Sequence, residues 1–459
     1  MSGLVLLIPY TENLRISDYG ELAIYISFSM LVQYLMNFGI DTYLSVHYYD
    51  HSDEPALLKK FVSSVFGLLL LMGLLIIVLF SIAGSFLFDS IFKGGIISFF
   101  PFGFMSVITA FFNAFFRTYV NVQVFANKAV KYFLFGLFNF IVTVVISTIL
   151  VYQYPHTIIG PMWGRLLSGV LIFILTLLFT LKDYGITFNK TLIPEIKKFC
   201  MPLLIFNLLT WVLAYFNNYI LNAFETTADV GVYDFALKCT LFIEFAGLGL
   251  LGTINPRVFQ LWKKNDLTYS TPEENRYYHV FSGFNILFIA INILLLPLLI
   301  RLFINNEGYY YSIDLLPVLC VSFVFRGLYN AFTNPIYYFK QTKVLPKVLL
   351  ITAVVQVVSG IILIRFFGIW GAVLSYFIVR PVQVFFMWLE SRKVFDFRFN
   401  VYKMFVIPLV YAASVILIYQ LPHLTDLLKG ILQLIIAIIM VGFLYFKEIR
   451  SLPDKWKRE

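Results

Sequence analysis

The chain has 459 residues, of which 60% are hydrophobic and only 13% are charged, and its formal net charge is +9. A water-soluble protein of this length needs a larger polar surface, so the composition excludes an ordinary soluble fold and indicates a polytopic membrane protein. The three cysteines all lie in apolar runs and predict no disulfide framework.

Apolar segments of about 18–25 residues, each long enough to cross ~30 Å of hydrocarbon as a helix, fill the chain almost end to end. We therefore predict an all-α polytopic membrane protein with about fourteen transmembrane helices. The first, at residues 3–10, is only half a span, and we expect that the natural start lies upstream or that the chain begins inside its first helix. Full spans are predicted near residues 20–40, 58–84, 97–117, 130–152, 160–181, 198–222, 231–254, 277–303, 313–339, 347–365, 370–390, 403–421 and 427–446.

Most of the 34 Lys and Arg residues lie in alternate connections and in the C-terminal tail. This is the positive-inside pattern, and it predicts a multi-pass membrane protein with both ends in the cytoplasm. The basic balance thus concerns topology and anionic membrane lipids, and it does not indicate a nucleic-acid partner.

An internal repeat links the two halves of the sequence. Asp18 and Gly20 recur as Asp229 and Gly231 at an offset of about 211, and Gly160 recurs as Gly371 at the same offset. Because the offset spans six helices, the repeat is parallel. We predict an N-terminal six-helix lobe (1–182), a C-terminal six-helix lobe (196–390), two extra helices (402–447) and a basic cytoplasmic tail (448–459).

Four cations lie inside predicted helices: Arg165, Lys238, Arg326 and Arg380. Each costs about 2.5–3.5 kcal/mol near the membrane centre, so we expect them to face the bundle interior or a wet cavity. The alternative is that each reaches a helix end or pairs with a neighbouring helix.

Two acidic side chains lie close to these cations in sequence. Asp234 precedes Lys238 by one helical turn and is placed to neutralise it. Glu244 is the remaining carboxylate in the middle of a predicted span. Both are candidates for binding a coupling ion, with a structural ion pair as the alternative for Glu244.

Polar side chains recur every fourth residue on the fourth and tenth predicted spans, where the half-span at residues 3–10 counts as the first. These two stripes are related by an offset of 213 and consist of Asn113, Arg117 and Asn121, and of Arg326, Asn330 and Asn334. We interpret them as wet faces lining a cleft, although Asn side chains also bond helices together. His47 and His51 lack a clear third ligand, so we predict no metal site, and no cofactor-binding motif is present.

Four stretches suggest a family: IPYTENLRISDYGELAIYISF, FGIDTYLSVHYYD, FNNYILNAFETTADVGVYDFALK and INPRVFQLW. They resemble helix starts and ends of polysaccharide flippases in the multidrug/oligosaccharidyl-lipid/polysaccharide exporter superfamily, closest to the O-antigen or capsule type. Family members often carry a charged pair late in the seventh helix, where this chain has Asn217 and Asn218.

The resemblance implies two six-helix lobes around a central cavity and alternating access. Its cargo would be a polyprenyl-diphosphate-linked oligosaccharide, moved from the inner to the outer leaflet of the bacterial cytoplasmic (inner) membrane for lipopolysaccharide or other surface-polymer synthesis. The resemblance also implies the polysaccharide polymerase machinery as a partner. We expect Arg326 and Lys238 to attract the diphosphate, with lesser roles for Arg165 and Arg380. Further contacts are expected from Asn330, Asn113, Arg117 and Asn218.

Two other functions remain open. A cation-coupled multidrug exporter of the same superfamily would favour carboxylates in its cavity, whereas this chain has more cations there. A polytopic O-antigen polymerase or ligase usually needs a long extracytoplasmic loop, and every predicted outward loop is short. We therefore expect a transporter and not an enzyme.

Overall fold

A computed structural model describes residues 2–51, 53–92, 97–265 and 269–450. Within these ranges the chain is all-α, with one isolated β-bridge between Tyr269 and Asp396 and no strand. The apolar composition explains this, because a helix satisfies its own backbone hydrogen bonds where lipid offers none. The helices are α1 Ser2–Val5, α2 Leu7–Asn13, α3 Ile16–Asn37, α4 Ile40–His47, α5 Pro55–Ile91, α6 Phe104–Phe125, α7 Ala129–Gln153, α8 Ile159–Asp183, α9 Ile193–Phe224, α10 Thr227–Asn265, α11 Pro272–Phe303, α12 Tyr311–Val321, α13 Arg326–Tyr338, α14 Val344–Phe367, α15 Ile369–Ser391, α16 Ile407–Tyr419, α17 Asp426–Leu444 and α18 Phe446–Arg450.

Twelve helices in the described residues are long and apolar enough to span a membrane, and a bent pair raises the number to thirteen. The predicted all-helical membrane fold is confirmed, whereas the total of about fourteen spans is not. The first predicted segment is short in the structure too, since α1 and α2 together end at Asn13. Of the predicted tail, residues 451–459 lie outside the described residues.

The bent pair consists of α3 and α4, which meet at an angle of 42°. Two residues at the junction, Phe38 and Gly39, have positive φ angles of 51° and 79°. Glycine adopts this backbone conformation without the steric cost that a Cβ brings, so the sequence favours a break here. The predicted span at residues 20–40 therefore continues as a second, bent helix to His47.

The tenth predicted span is also interrupted. A 3₁₀ segment, Ser322–Phe325, separates α12 from α13. Arg326 is the first residue of α13, so the interruption ends at one of the predicted functional cations.

The chain forms two compact units, Met1–Gly231 and Val232–Glu459. In the first unit, an aromatic and aliphatic core joins α4, α5, α6 and the start of α9, and includes the buried residues Tyr43, Phe66 and Phe115. In the second unit, α17 packs closely on α11, where Gly430 lies against Leu294. The boundary at Gly231 differs from that of the predicted six-helix lobes, which remain a prediction.

The repeated glycines mark equivalent close helix crossings. A Cβ added to Gly160 would lie 2.5 Å from the carbonyl oxygen of Leu150, where α8 crosses α7. A Cβ added to Gly371 would lie 2.1 Å from the carbonyl oxygen of Leu363, where α15 crosses α14. The sequence offset therefore corresponds to the same packing requirement in each unit.

The two glycines of the other repeated pair, Gly20 and Gly231, lie together at one helix contact. Within the first unit, a Cβ on Gly20 would lie 1.7 Å from the carbonyl oxygen of Thr227, and one on Gly231 would lie 2.4 Å from that of Ile16. Ile16 and Thr227 are themselves 211 residues apart. The start of α3 and the start of α10 thus contact each other through equivalent residues of the two repeats.

Candidate functional site

A small pocket of about 20 Å³ lies in the second unit, between the 3₁₀ segment, α13 and α15. Its wall includes Arg326 and Arg380, together with Ser322, Tyr329 and Gln383. Two of the predicted cations are thereby brought together. Arg326 lies directly after the 3₁₀ segment, at the start of α13, whereas Arg380 lies on α15, so the two arginines line the pocket from different helices.

Each of these two arginines has a partner. The Nη2 atom of Arg326 lies 3.3 Å from Oε1 of Glu244 on α10. Arg380 donates a hydrogen bond to the hydroxyl of Tyr376, one turn earlier on α15, and its guanidinium lies 4.5 Å from the centre of the same ring. Glu244 therefore neutralises Arg326, which is the structural alternative considered from the sequence.

Lys238 forms the expected ion pair within α10, with 2.5 Å between its Nζ atom and Oδ2 of Asp234. Neither residue lines the pocket that holds Arg326. The pair is neutral overall, so Lys238 offers less attraction to an anion than its sequence position indicates.

The C-terminal part of the polar stripe on the tenth predicted span, Asn330 and Asn334, links neighbouring helices through hydrogen bonds. Asn330 and Asn334 each donate a hydrogen bond to Oδ1 of Asn255 on α10, over 3.0 and 3.1 Å. Asn334 also donates to the hydroxyl of Tyr278 on α11 at 2.9 Å. Asn330 is thus placed in a helix-bridging network, apart from the pocket-lining residues.

A second and larger pocket, of about 260 Å³ and with a more polar wall, lies in the first unit. It brings together three residues predicted from the sequence: Asn113, Arg117 and Arg165. Arg117 pairs with Asp41 on α4, its Nε atom 3.2 Å from Oδ2. The other lining residues are Ser2, Met30, Gln33, Thr109, Phe116, Asn139, Thr143, Ser168 and Gly169.

Some pocket residues were missed by sequence reasoning. Asn139 and Thr143 lie one turn apart on α7, with 3.4 Å between the Thr143 hydroxyl and Oδ1 of Asn139. A polar pair at this spacing in an otherwise apolar helix is the signal that would have found them. Conversely, the predicted Asn218 is buried on α9 and is absent from the wall of this pocket.

The two pockets are built from equivalent helices of the repeat. In the first unit the arginines come from α6 and α8, and in the second from α13 and α15. The arginines themselves occupy shifted positions, because the offset of 213 takes Asn113 to Arg326 and Arg117 to Asn330.

The sequence model for polysaccharide biosynthesis proteins matches residues 1–262, which is more than half of the chain. The chain belongs to this family. No curated protein matches the sequence.

Solved structures share the fold over most of the chain. The lipid II flippase MurJ in an inward closed conformation is 15% identical, with a TM-score of 0.73, and the match covers 99% of this chain and 97% of that one. An inward-facing multidrug resistance MATE family transporter of the MOP superfamily is 15% identical, with a TM-score of 0.68 and coverage of 85% and 97%. A MATE structure in complex with MaD3S is 14% identical, with a TM-score of 0.57 and coverage of 85% and 91%. The chain therefore shares the fold of these transporter structures, as predicted from its sequence.

Proposed function

We propose that this protein is a flippase that moves a polyprenyl-diphosphate-linked oligosaccharide from the inner to the outer leaflet of the bacterial cytoplasmic membrane by alternating access. Its product supplies the synthesis of a surface polysaccharide such as O-antigen. The substrate is a lipid-linked oligosaccharide, both chain ends lie in the cytoplasm, and the polymerase machinery is the partner that consumes the product.

The observation that carries this proposal is the pair of arginine-bearing pockets, one in each unit. Moving a diphosphate through a medium of low dielectric constant without a countercharge is prohibitive. The planar guanidinium group matches phosphate oxygens through paired hydrogen bonds. Asparagine, glutamine and tyrosine side chains in the same pockets are suited to sugar hydroxyl groups.

The MATE-like fold makes a cation-coupled multidrug exporter the second candidate. A cationic drug needs carboxylates at its binding site. Among the described lining residues of the two pockets there are four arginines and no carboxylate. The charge of the pockets thus favours an anionic cargo. Glu244 and Asp234, which pair with Arg326 and Lys238, are the carboxylates that a coupling ion would bind.

A deletion strain tests the proposal. We expect the strain to lose its surface polysaccharide and to accumulate lipid-linked oligosaccharide on the inner leaflet, as measured by accessibility to an added glycosidase in inside-out and right-side-out vesicles. The wild-type gene restores export, whereas a variant with Arg326→Gln and Arg380→Gln together does not. Arg365→Gln is the matched control, because Arg365 is an exposed cation at the end of α14.

Normal export of surface polymer in the deletion strain contradicts the flippase. If the same strain also becomes sensitive to cationic drugs, the result favours the multidrug exporter.

A further inference from the structure

Arg165 differs from the other cations inside the membrane-spanning helices. Arg117, Lys238 and Arg326 each form an ion pair, and Arg380 bonds to Tyr376. Within the described part of the chain, the Arg165 guanidinium forms no ion pair with a carboxylate. The hydroxyl groups of two tyrosines, on α2 and α9, lie within electrostatic range of it.

An unpaired cation inside a membrane protein is costly unless water or an anion compensates it. The pocket beside Arg165 has room for both, at about 260 Å³. The described residues of its wall include no carboxylate, and its neutral polar groups lie on several helices, among them Asn113 on α6, Asn139 on α7 and Gln33 on α3. These groups can donate hydrogen bonds to an anion without neutralising Arg165 beforehand.

Each pocket holds one arginine that is paired with a carboxylate, so this pairing does not distinguish the two pockets. The other arginine of the second-unit pocket, Arg380, already donates a hydrogen bond to the hydroxyl of Tyr376. The second-unit pocket is also the smaller, at about 20 Å³, which is room for about one water molecule. The hydrogen bond of Arg380 and the available space therefore favour the first unit.

We propose that the first-unit pocket is the primary binding site for the diphosphate group of the lipid, with Arg165 as its direct contact and Asn113 and Asn139 as additional donors. Arg117, whose Nε atom lies 3.2 Å from Oδ2 of Asp41, supplies a second cation to the same pocket. This assignment rests on the proposed flippase function and deepens it. It reverses the order of importance that the sequence indicates, in which Arg326 and Lys238 come first.

The test is lipid binding to the purified full-length protein in nanodiscs, with geranylgeranyl diphosphate as the probe. Geranylgeraniol, which lacks the diphosphate, is the matched control ligand. We expect Arg165→Gln to weaken binding of the diphosphate about tenfold or more, because a charge-assisted hydrogen bond is lost. The exposed control Arg365→Gln should bind within about threefold of wild type, and Arg326→Gln should lose less affinity than Arg165→Gln.

Thermal unfolding of the same variants separates binding from a structural role. Removing an unpaired cation leaves no partner stranded, so Arg165→Gln should unfold at or above the wild-type temperature in the absence of ligand. The diphosphate should raise the unfolding temperature of wild type and of the control Arg365→Gln, but not that of Arg165→Gln.

Three results overturn the assignment: Arg165→Gln binds the diphosphate as wild type does, Arg326→Gln loses as much affinity as Arg165→Gln, or Arg165→Gln unfolds at a lower temperature. Competition by inorganic pyrophosphate as strong as that by the lipid identifies a soluble diphosphate and overturns the lipid assignment. The flippase proposal fails separately, by normal surface-polymer export in the deletion strain.

Discussion

Replacing Gly371 by alanine tests the helix crossing that positions α15, the helix that carries Arg380. A Cβ at this position would lie 2.1 Å from the carbonyl oxygen of Leu363, whereas ordinary van der Waals contacts begin at 3.4 Å. The two helices must therefore separate locally by about 1.3 Å. Only Gly368 lies between α14 and α15, so the connection has little slack to absorb the shift.

We expect a net loss of stability. Overpacking of this kind costs about 1–3 kcal/mol. The gain in helix propensity from glycine to alanine returns about 0.5–1 kcal/mol. The net cost lowers the unfolding temperature by about 2–4 °C for each kcal/mol lost.

Thermal unfolding of the purified variants in detergent is the assay, and Gly136→Ala is the control. Gly136 lies within α7, and a Cβ there would have no heavy atom within 4 Å. The control should therefore match wild type or exceed it slightly, by about 0.5–1 kcal/mol. The reasoning is refuted if Gly371→Ala unfolds at the same temperature as Gly136→Ala.

Two further predictions concern charged pairs. The side chain of Asp41 is 9% exposed and that of its partner Arg117 is 50% exposed. Arg117→Met should destabilise the protein by about 1–3 kcal/mol, because it leaves the buried carboxylate without its partner. In a double-mutant cycle, adding Asp41→Asn should restore most of the loss. Burial of Glu448 favours its protonated form, but the hydrogen bond and charge of Lys403, with a backbone hydrogen bond and the charge of His279, together outweigh burial and lower the pKa of Glu448. Because the pKa of Glu448 is lower in the folded state than in the unfolded state, its stabilisation is present above the unfolded-state pKa and is lost as the pH falls. Between about pH 6 and pH 3.5, the unfolding temperature of wild type should therefore drop more than that of Glu448→Gln. Equal drops in the two proteins would contradict this.

The membrane fold was predictable because its main determinant is local. A run of about 20 apolar residues has one stable solution in lipid, a helix, and short connections leave little room for other structure. For this reason the predicted spans agree with the observed helices to within a few residues over much of the chain. The interruptions depend on less regular signals: Gly39 marks the bend after α3, whereas nothing in the apolar pattern predicts the 3₁₀ segment before Arg326.

The repeat was also visible in the sequence, because close helix crossings exclude every side chain larger than glycine's hydrogen. Gly160 and Gly371 recur at the spacing of the repeat and meet equivalent carbonyl oxygens. A constraint of this kind is recorded as residue identity at a fixed offset, so no structure is needed to detect it.

The sequence alone showed which cations lie within the apolar helices. These are Arg165, Lys238, Arg326 and Arg380. Their pairing was decided by the tertiary structure, since the separation of Glu244 from Arg326 is 82 positions along the chain but 3.3 Å in space. Lys238 has its partner one turn away, and there the sequence sufficed. For Arg165, only the packing of α6, α7 and α8 around an open polar pocket leaves a cation without a carboxylate. Electrostatic compensation depends on distance in three dimensions, and sequence spacing reports that distance only within one helix.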